Sequence, residues 1–362
     1  MNPLPFLVRY IVPLVMIGGW ATGALGLFRI VSWLWLGVTI LDVVVGLDTG
    51  PPRAAGRGGD ARRLDVTLWI VSHASMLGCG LTLVVCRCTT IADLVLVTVS
   101  IGVAAGIFSV SAAHELMHGP RRFERTLAVA LMTMMSYPHF CIAHVEGHHR
   151  MVGTAADPAT ARWGESFYAF YNRTLFGGVV TAWQLEVDRL GRLGASVWSI
   201  GNRLLRDAAV LTAVYATVAA LAGVRGLAFF AVQSIIAFSL IELFNYVEHY
   251  GLARRPVGAG RYERVQPWHS WNSSHRISNW LLLNLGRHSD HHCHPERPYH
   301  ELRHTADAPQ LPAGYFGVFV LPFLPWLWRR VIDPRVRAWR VQHGVPLDIL
   351  AEARVARGGR ST

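Results

Sequence analysis

Residues 91–118 read "IADLVLVTVSIGVAAGIFSVSAAHELMH" and join a long apolar run directly to a pair of histidines. A helix needs about 20 mostly apolar residues to cross a bilayer, and residues 91–113 meet that length. His114 and His118 lie four residues apart, so they share one face of a helix. The stretch predicts a transmembrane helix that carries two imidazoles at its end.

The composition of the whole chain is typical of a membrane protein. Of its 362 residues, 52% are hydrophobic, 16% are charged and 13 are Trp. All 34 basic residues are Arg, and the formal net charge is +11. These arginines are scattered and form no recognisable nucleic-acid-binding module, so nucleic acid is not an expected partner. The five Cys form no CxxC pair, which argues against a disulfide framework or a zinc ribbon.

Six apolar runs are predicted to cross the membrane, which makes the expected fold all-α and polytopic. The first run begins near the N-terminus and lacks a signal-peptide cleavage site, so it is expected to remain as a helix. Two runs, 30–47 and 207–223, are close to the shortest length that spans a bilayer. The predicted spans are residues 6–27, 30–47, 67–86, 91–113, 207–223 and 226–246.

The distribution of arginine predicts the orientation of these spans. The turns after the first, third and fifth spans each hold a single basic residue, namely Arg29, Arg87 and Arg225. Arginine-rich loops stay on the cytoplasmic side, so both termini and both large polar segments are expected in the cytoplasm. The loop at 48–66 lies on the opposite side of the membrane from these short turns, and it holds Arg53, Arg57, Arg62 and Arg63.

On this plan the chain has five parts. Residues 1–113 hold spans one to four, 114–206 form a polar segment, 207–246 hold spans five and six, 247–330 form a second polar segment, and 331–362 form a basic tail.

Three further stretches have their own predictions. Residues 127–143 are short for a span and contain a proline, so a re-entrant or buried helix is expected. Residues 315–328 hold two prolines and precede two arginines, which favours a segment lying at the membrane interface. Residues 50–60, "GPPRAAGRGGD", have the composition of a flexible loop.

Nine of the 17 histidines fall in four short motifs: "HELMH" at 114–118, "HVEGHH" at 144–149, "NYVEHYGL" at 245–252 and "RHSDHH" at 287–292. One zinc ion takes three or four ligands, whereas two iron ions at five or six coordination can use nine imidazoles. The number of histidines therefore favours a dinuclear iron site. The nine candidate ligands are His114, His118, His144, His148, His149, His249, His288, His291 and His292.

The other histidines belong to no such repeat, and we predict that they bind no metal. They are His73, His139, His269, His275, His294, His300, His304 and His343.

Two functions of other classes also fit part of the sequence. "HELMH" satisfies the HExxH pattern of zinc proteases, in which Glu115 would act as general base, but a protease leaves seven histidines without a role. A metal transporter needs ionisable groups inside the spans, where the sequence offers little beyond Asp42, Asp93 and Glu242.

The motifs in combination resemble the integral-membrane alkane 1-monooxygenase family, from about residue 5 to about residue 330. The resemblance rests on the four histidine motifs together with "GESFY" at 164–168, "SWNSSHRISNWLLLNLGRHSDHH" at 270–292 and "PYHELR" at 298–303. Two positions depart from the family pattern, since Gly119 stands where a basic residue is common and Ala143 where an acidic residue is common. Neither is a candidate ligand.

This resemblance implies a di-iron monooxygenase with two non-haem iron ions. Such an enzyme uses O2 to hydroxylate the terminal methyl of an alkane, drawn from the lipid membrane, to a primary alcohol. It also implies a bacterial inner-membrane protein with a cytoplasmic histidine-rich cap. By position the nine histidines above are the ligands, and Glu248 and Asp290 are candidates for orienting the imidazoles. Related alternatives are a xylene-type methyl hydroxylase and a fatty acyl desaturase.

The resemblance also implies an electron donor, a rubredoxin reduced by a rubredoxin reductase. The chain holds no pair of CxxC motifs, so the rubredoxin is expected to be a separate protein. Rubredoxins are generally acidic, and arginines flank the histidine motifs, so the two surfaces are expected to attract one another. These arginines are Arg121, Arg122, Arg125, Arg254, Arg255, Arg297 and Arg303.

Overall fold

The computed structural model describes residues 4–51, 59–258 and 260–346. Within these ranges the chain is mostly helical, and its one two-stranded ladder is a small antiparallel hairpin, Pro256–Gly258 paired with Arg261–Tyr262. The all-α prediction is confirmed. Most of the predicted flexible loop, with Arg53 and Arg57, lies outside the described residues, and so does the tail from residue 347. All five cysteines are free thiols.

Helices α1 to α5 form the first four spans. Short 3₁₀ segments, Leu4–Tyr10 and Leu25–Arg29, lead into α1 and α2. One π-helical segment, Ala105–Ser109, joins α4 to α5, so the fourth span runs without interruption to Met117. The helices are α1 Ile11–Thr22, α2 Ile30–Val45, α3 Gly59–Cys86, α4 Ile91–Ala104 and α5 Val110–Met117.

The fifth and sixth spans come from one long helical stretch, α10, at Arg203–His249. A straight helix of this length would measure about 70 Å, more than twice the thickness of a hydrocarbon core. Gly223 has φ 59° and ψ −159°, which breaks the helix. The chain then folds back, because the rings of Tyr215 and Phe230 lie 5.0 Å apart. The five apolar helical stretches of the described chain thus correspond to the six predicted spans.

Two glycines allow span four to pack closely against α10. A Cβ atom on Gly102 would lie 2.8 Å from Cβ of Ile236, and one on Gly106 would lie 2.7 Å from Cδ1 of Leu240. The two glycines are four residues apart and so lie on one helix face, the small-xxx-small pattern of membrane helix contacts. Span four, which carries His114 and His118, is therefore fixed against α10, which carries His249.

The polar segment after span four forms four further helices. The predicted re-entrant stretch 127–143 is divided at Ser136, which has φ 56°, into the end of α6 and the start of α7. A second π-helical segment, Ala143–His148, follows α7 directly. The helices are α6 Arg122–Met134, α7 Phe140–Ile142, α8 His149–Met151 and α9 Phe167–Arg192.

The final segment packs short helices against the spans. Asp42 of α2 accepts hydrogen bonds from the backbone N–H groups of Ile277 and Ser278, both at 3.0 Å, and so caps the N-terminus of α11 from within span two. α14 runs across residue 331, where the sequence predicted that a tail begins. The helices are α11 Arg276–Leu281, α12 His288–Cys293, α13 Tyr315–Val318 and α14 Pro325–His343.

Residues 315–328, predicted to lie at the membrane interface, have one buried and one exposed side. Phe316 packs edge-on against Trp35 of α2, with ring centroids 5.3 Å apart, and Trp328 is also buried. Val320 and Trp326 are exposed. This two-sided arrangement suits an interfacial segment.

Candidate metal centre

The first histidine motif lies at the end of span four. His114 is on α5 and His118 caps its C-terminus, and their rings are 5.1 Å apart. Arg9, in the first span, supports this end of the helix. Its guanidinium donates to the carbonyl of Phe108 and to Oγ of Ser111, the latter at 3.2 Å. The sequence analysis did not single out Arg9, because its partners lie about a hundred positions away.

The second motif forms a π turn, which changes which histidines face each other. The backbone N–H of His149 bonds to the carbonyl of His144, five residues earlier. As a result Nε2 of His144 and Nε2 of His149 are 3.1 Å apart. Nε2 of His148 instead lies 3.3 Å from Nε2 of His292. Residues four apart, as His144 and His148 are, share one face of a regular α-helix, but here the π turn directs the two rings to different groups of histidines.

The other two motifs complete the site from α10 and α12. Nε2 of His249, at the end of α10, is 3.2 Å from Nε2 of His288. His288 and His292 are four apart on α12, and their Nε2 atoms are 3.0 Å apart. His291 points to the other side, where its Nε2 is 3.2 Å from that of His149.

The nine predicted ligands therefore form two adjoining clusters. In each cluster the donor nitrogens lie within 4.8 Å of one another. The clusters touch, since the rings of His149 and His292 stack with centroids 4.5 Å apart. The five-histidine cluster is His114, His118, His144, His149 and His291, and the four-histidine cluster is His148, His249, His288 and His292.

The chemistry of these clusters fits a metal ion in each. Ring nitrogens about 2.1 Å from one ion, at right angles, are about 3.0 Å apart, which matches the nearest contacts here. Burial lowers the pKa of His118 to about 4 and those of His144, His149 and His291 well below the ordinary 6.5. Imidazole binds a metal in its neutral form, so the lowered pKa values suit ligation.

Buried nitrogen atoms without partners support the same interpretation. Nε2 of His114 and Nε2 of His118 are buried and accept or donate no hydrogen bond within the described chain. A buried polar atom without a partner costs about 1–3 kcal/mol, so a site that keeps several of them is expected to gain a partner on binding its ion.

Asp157 fixes the orientation of one ligand. Its Oδ2 accepts a hydrogen bond of 2.8 Å from Nδ1 of His148, which turns Nε2 toward the four-histidine cluster. Asp157 is itself held, because it accepts bonds from Oγ1 of Thr160 at 2.6 Å and the backbone N–H of Ala159 at 3.1 Å. The sequence analysis missed Asp157, which lies outside the quoted motifs. The sequence "ADPAT" around it marks only a turn.

The two predicted orienting carboxylates differ in their contacts. Asp290 is bound by Nη1 of Arg297, at 2.6 and 2.5 Å, and its Oδ2 also accepts the backbone N–H of Arg303. These contacts tie α12 to the following loop, and none of them is to an imidazole. Glu248 is fully buried and lies beside His288, with Oε2 3.3 Å from Nε2 of that ring.

An ion-pair network holds the π turn from outside. Glu146 lies between His144 and His148 and accepts a bond of 2.6 Å from Nη1 of Arg203, at the start of α10. Arg203 also donates to the buried Glu186 of α9, at 2.8 Å. Burial alone would raise the pKa of Glu186, but its bonds with Arg189 and Arg203 outweigh burial and lower it to about 2. Three elements are thereby joined at the second histidine motif.

Two open cavities reach the edge of the five-histidine cluster at His118. One, of about 790 Å³, lies between α6, the π turn and α10, and the other, of about 410 Å³, lies between α6 and residues 295–301. His118 is half-buried and lines both. The walls of the larger cavity include Arg122, Arg125, Arg203 and Arg206.

The histidines predicted to bind no metal all lie outside the two clusters. Several have partners of their own: Nδ1 of His304 bonds to Oγ of Ser274 at 2.7 Å, for example, and Nδ1 of His343 to the carbonyl of Trp339 at 2.9 Å.

Comparison with known proteins gives consistent results. The fatty acid desaturase family profile matches residues 90–322. The alkane 1-monooxygenase of Ectopseudomonas oleovorans is 37% identical over 90% of this chain and 82% of its own length. Alkane 1-monooxygenase 1 of Alcanivorax borkumensis is 38% identical over 86% of this chain and 78% of its own length.

A more distant relative is the hydroxylase component XylM of the xylene/toluene monooxygenase of Pseudomonas putida. It is 29% identical over 93% of this chain and 90% of its own length. Five apolar helical stretches in the described chain, the last of them broken at Gly223, two adjoining histidine clusters and similarity along most of the sequence agree: the chain belongs to the alkane 1-monooxygenase family of membrane enzymes.

Proposed function

We propose that this protein is a di-iron monooxygenase that hydroxylates the terminal methyl of medium- or long-chain unbranched alkanes. The overall reaction is RH + O2 + 2 e⁻ + 2 H⁺ → ROH + H2O. The observation that carries the proposal is the pair of adjoining imidazole clusters, five and four histidines, at the end of apolar spans. Two non-haem iron ions, when bound there, would supply the activation of O2 and the cleavage of the C–H bond.

The chain's own residues position the metal ligands and keep water away from them. All four histidines of the smaller cluster, and three of the five in the larger, are buried. Ala105, Ala112 and Ala113, which precede His114 on the fourth span, are fully buried small side chains. An alkane has no polar group, so its affinity comes from removing apolar surface from water, and the bilayer concentrates it beside the spans.

The surface around His118 is our candidate site for electron entry. His118 is the ligand that both open cavities reach. Several of the predicted docking arginines are already bound to carbonyl or carboxylate oxygens of this chain, namely Arg125, Arg254, Arg255 and Arg297. Arg122 has no such bond in the described chain. The cavity wall holds four arginines against three acidic side chains, Glu146, Asp207 and Glu296, so it carries a net positive charge that would attract an acidic rubredoxin.

The proposed location is a bacterial inner membrane with the metal centre on the cytoplasmic side. The positive-inside rule supports this orientation, because the histidine motifs share their side with the arginine-rich segments. A rubredoxin and its reductase would then reach the centre from the cytoplasm.

The alternative enzymes differ in substrate rather than in metal. XylM of Pseudomonas putida is named as a component of a xylene/toluene monooxygenase, and the matched profile is that of fatty acid desaturases. Identity of 37–38% with alkane 1-monooxygenases, against 29% with XylM, favours the alkane. The zinc protease is disfavoured because Oε2 of Glu115 accepts the backbone N–H of Tyr299 at 3.1 Å, and because His114 and His118 share their cluster with three more imidazoles.

The test is a product analysis. Purified, iron-loaded protein is supplied with rubredoxin, rubredoxin reductase, NADH and ¹⁸O2, together with a mixture of n-alkanes, p-xylene and acyl lipids. We expect primary alcohols of the n-alkanes that carry one ¹⁸O atom, detected by mass spectrometry. Omitting rubredoxin should abolish product.

Other outcomes would overturn the proposal in identifiable ways. Benzylic alcohol as the main product would assign a methyl hydroxylase of aromatics, and unsaturated lipid would assign a desaturase. An absence of any oxidised product from protein with a full iron content would contradict the monooxygenase altogether.

A further inference from the structure

The two clusters offer different numbers of nitrogen donors. The larger has five imidazoles and the smaller has four. If each holds an iron ion, as the proposed function requires, the ion in the smaller cluster has one protein donor fewer.

Glu248 lies on the metal-facing side of His288. Nε2 of His288 points at Nε2 of His249 and Nε2 of His292, at 3.2 and 3.0 Å. Oε2 of Glu248 lies 3.3 Å from that same Nε2, within the range of the contacts between donors inside the clusters. Nδ1 of His288, on the far side of the ring, has no hydrogen-bond partner among the described residues. A carboxylate that orients an imidazole bonds to the nitrogen away from the metal, as Asp157 does for His148.

The other oxygen of Glu248 is held by a neutral group. Oε1 accepts a hydrogen bond of 2.7 Å from the hydroxyl of Tyr315. This bond leaves Oε2 free on the side of the cluster. Tyr315 is fully buried and packs against Phe244 of α10, so the anchor is rigid.

No Arg side chain of the described chain pairs with the carboxylate of Glu248. Its one ion-pair contact in the described chain is with His288. A buried carboxylate without a cation is costly, and an iron ion in the adjoining cluster would supply the missing charge.

We propose that Glu248 is a ligand of the metal ion in the four-histidine cluster, through Oε2. It lies at the edge of the set, since it is not among the four residues whose donor atoms all lie within 4.8 Å of one another. The five-histidine cluster has no such carboxylate among its members. The two ions thus differ in charge environment, with one bound by imidazoles alone and the other by imidazoles and a carboxylate.

The experiment compares Glu248→Gln with the wild-type protein, both loaded with ⁵⁷Fe, by Mössbauer spectroscopy and by the rate of iron loss to a chelator. Gln keeps the shape and the acceptor for Tyr315 but removes the charge. The variant keeps all nine histidines. We expect one of its two iron signals to differ from that of the wild type and the other to be unaltered. We also expect one iron to be lost to the chelator about 10- to 100-fold faster. Glu301→Gln, which removes an exposed carboxylate outside the clusters, should leave both signals unaltered.

Tyr315→Phe supplies a second variant in case Glu248→Gln does not fold. It frees Glu248 without removing it, so the same iron signal should change to a smaller extent. Unchanged signals and chelation rates in both variants would overturn the proposal while leaving the di-iron site intact. If the wild-type protein binds no iron, the proposed function fails as well, so the two failures are distinguishable.

Discussion

Nδ1 of His148 donates a hydrogen bond of 2.8 Å to Oδ2 of Asp157, and both side chains are buried. This bond fixes the ring so that Nε2 faces His292, 3.3 Å away, in the four-histidine cluster. His144 and His149, on the same π turn, face the other cluster. One carboxylate outside the histidine motifs therefore helps determine how the ligands divide between the two clusters.

Replacing Asp157 with Asn should weaken metal binding in the four-histidine cluster. The neutral amide holds the ring of His148 less firmly and lowers its basicity, so we expect iron to leave this cluster about 10- to 100-fold faster. Chelator-driven iron release followed by absorbance should become biphasic, with one fast and one normal phase. Asp188→Asn, an exposed carboxylate on α9, is the matched control and should release iron as the wild type does. A single normal phase in Asp157→Asn would show that the bond has no such role.

Single alanine substitutions on α12 should remove ions from different clusters. His288→Ala affects the four-histidine cluster and His291→Ala the five-histidine cluster. Each variant should lose turnover and retain about one iron per chain in place of about two. The Mössbauer signal that survives should differ between the two variants. His294→Ala, from the same stretch but outside both clusters, should keep iron and turnover; the same surviving signal in both ligand variants would contradict the division.

Gly106→Ala should disturb the contact between span four and α10. The added Cβ would lie 2.7 Å from Cδ1 of Leu240 and 3.0 Å from the backbone oxygen of Ala237. Overpacking of this kind costs about 1–3 kcal/mol, so the thermal unfolding temperature in detergent should fall. Gly78→Ala is the control, because nothing lies within 4 Å of its added Cβ. Equal unfolding temperatures for the two variants would show that span four and α10 accommodate the added methyl group without loss of stability.

The pH dependence of stability should reflect Glu186. Its folded-state pKa of about 2 lies below the ordinary 4.5, so its ionised form is stabilised by folding. That stability is fully present above about pH 4.5 and is lost as the pH falls toward 2. In Glu186→Gln the unfolding temperature, measured by circular dichroism between pH 2 and 7, should be lower at neutral pH and less dependent on pH below 4.5. Parallel curves for variant and wild type would refute this role.

Charge reversal at the cavity beside His118 should impair reduction by rubredoxin. Arg122→Glu and Arg206→Glu place negative charge on the wall of the larger cavity. The KM for rubredoxin should rise several-fold, most at low ionic strength, while iron content stays the same. Arg264→Glu reverses an exposed charge that does not line the cavity and serves as control. If all three variants have the same KM, the donor docks elsewhere.

The spans, and the nine histidines that come together in the two clusters, could be predicted because both follow from local sequence patterns. Apolar length identifies a span, and the motifs place His114, His144 and their neighbours on short helical stretches. The division of the nine histidines between the two clusters could not be predicted from the sequence, because the π turn at Ala143–His148 replaces a four-residue repeat with a five-residue one. Asp157 and Arg9 were missed for a related reason: their partners are fixed by tertiary packing, and no periodicity marks them.

The most direct test of the account is the metal content of the purified wild-type protein, measured by inductively coupled plasma mass spectrometry after expression in iron-replete medium. Two adjoining clusters with nine imidazoles predict about two iron ions per chain. About one zinc ion per chain and no iron would contradict the account.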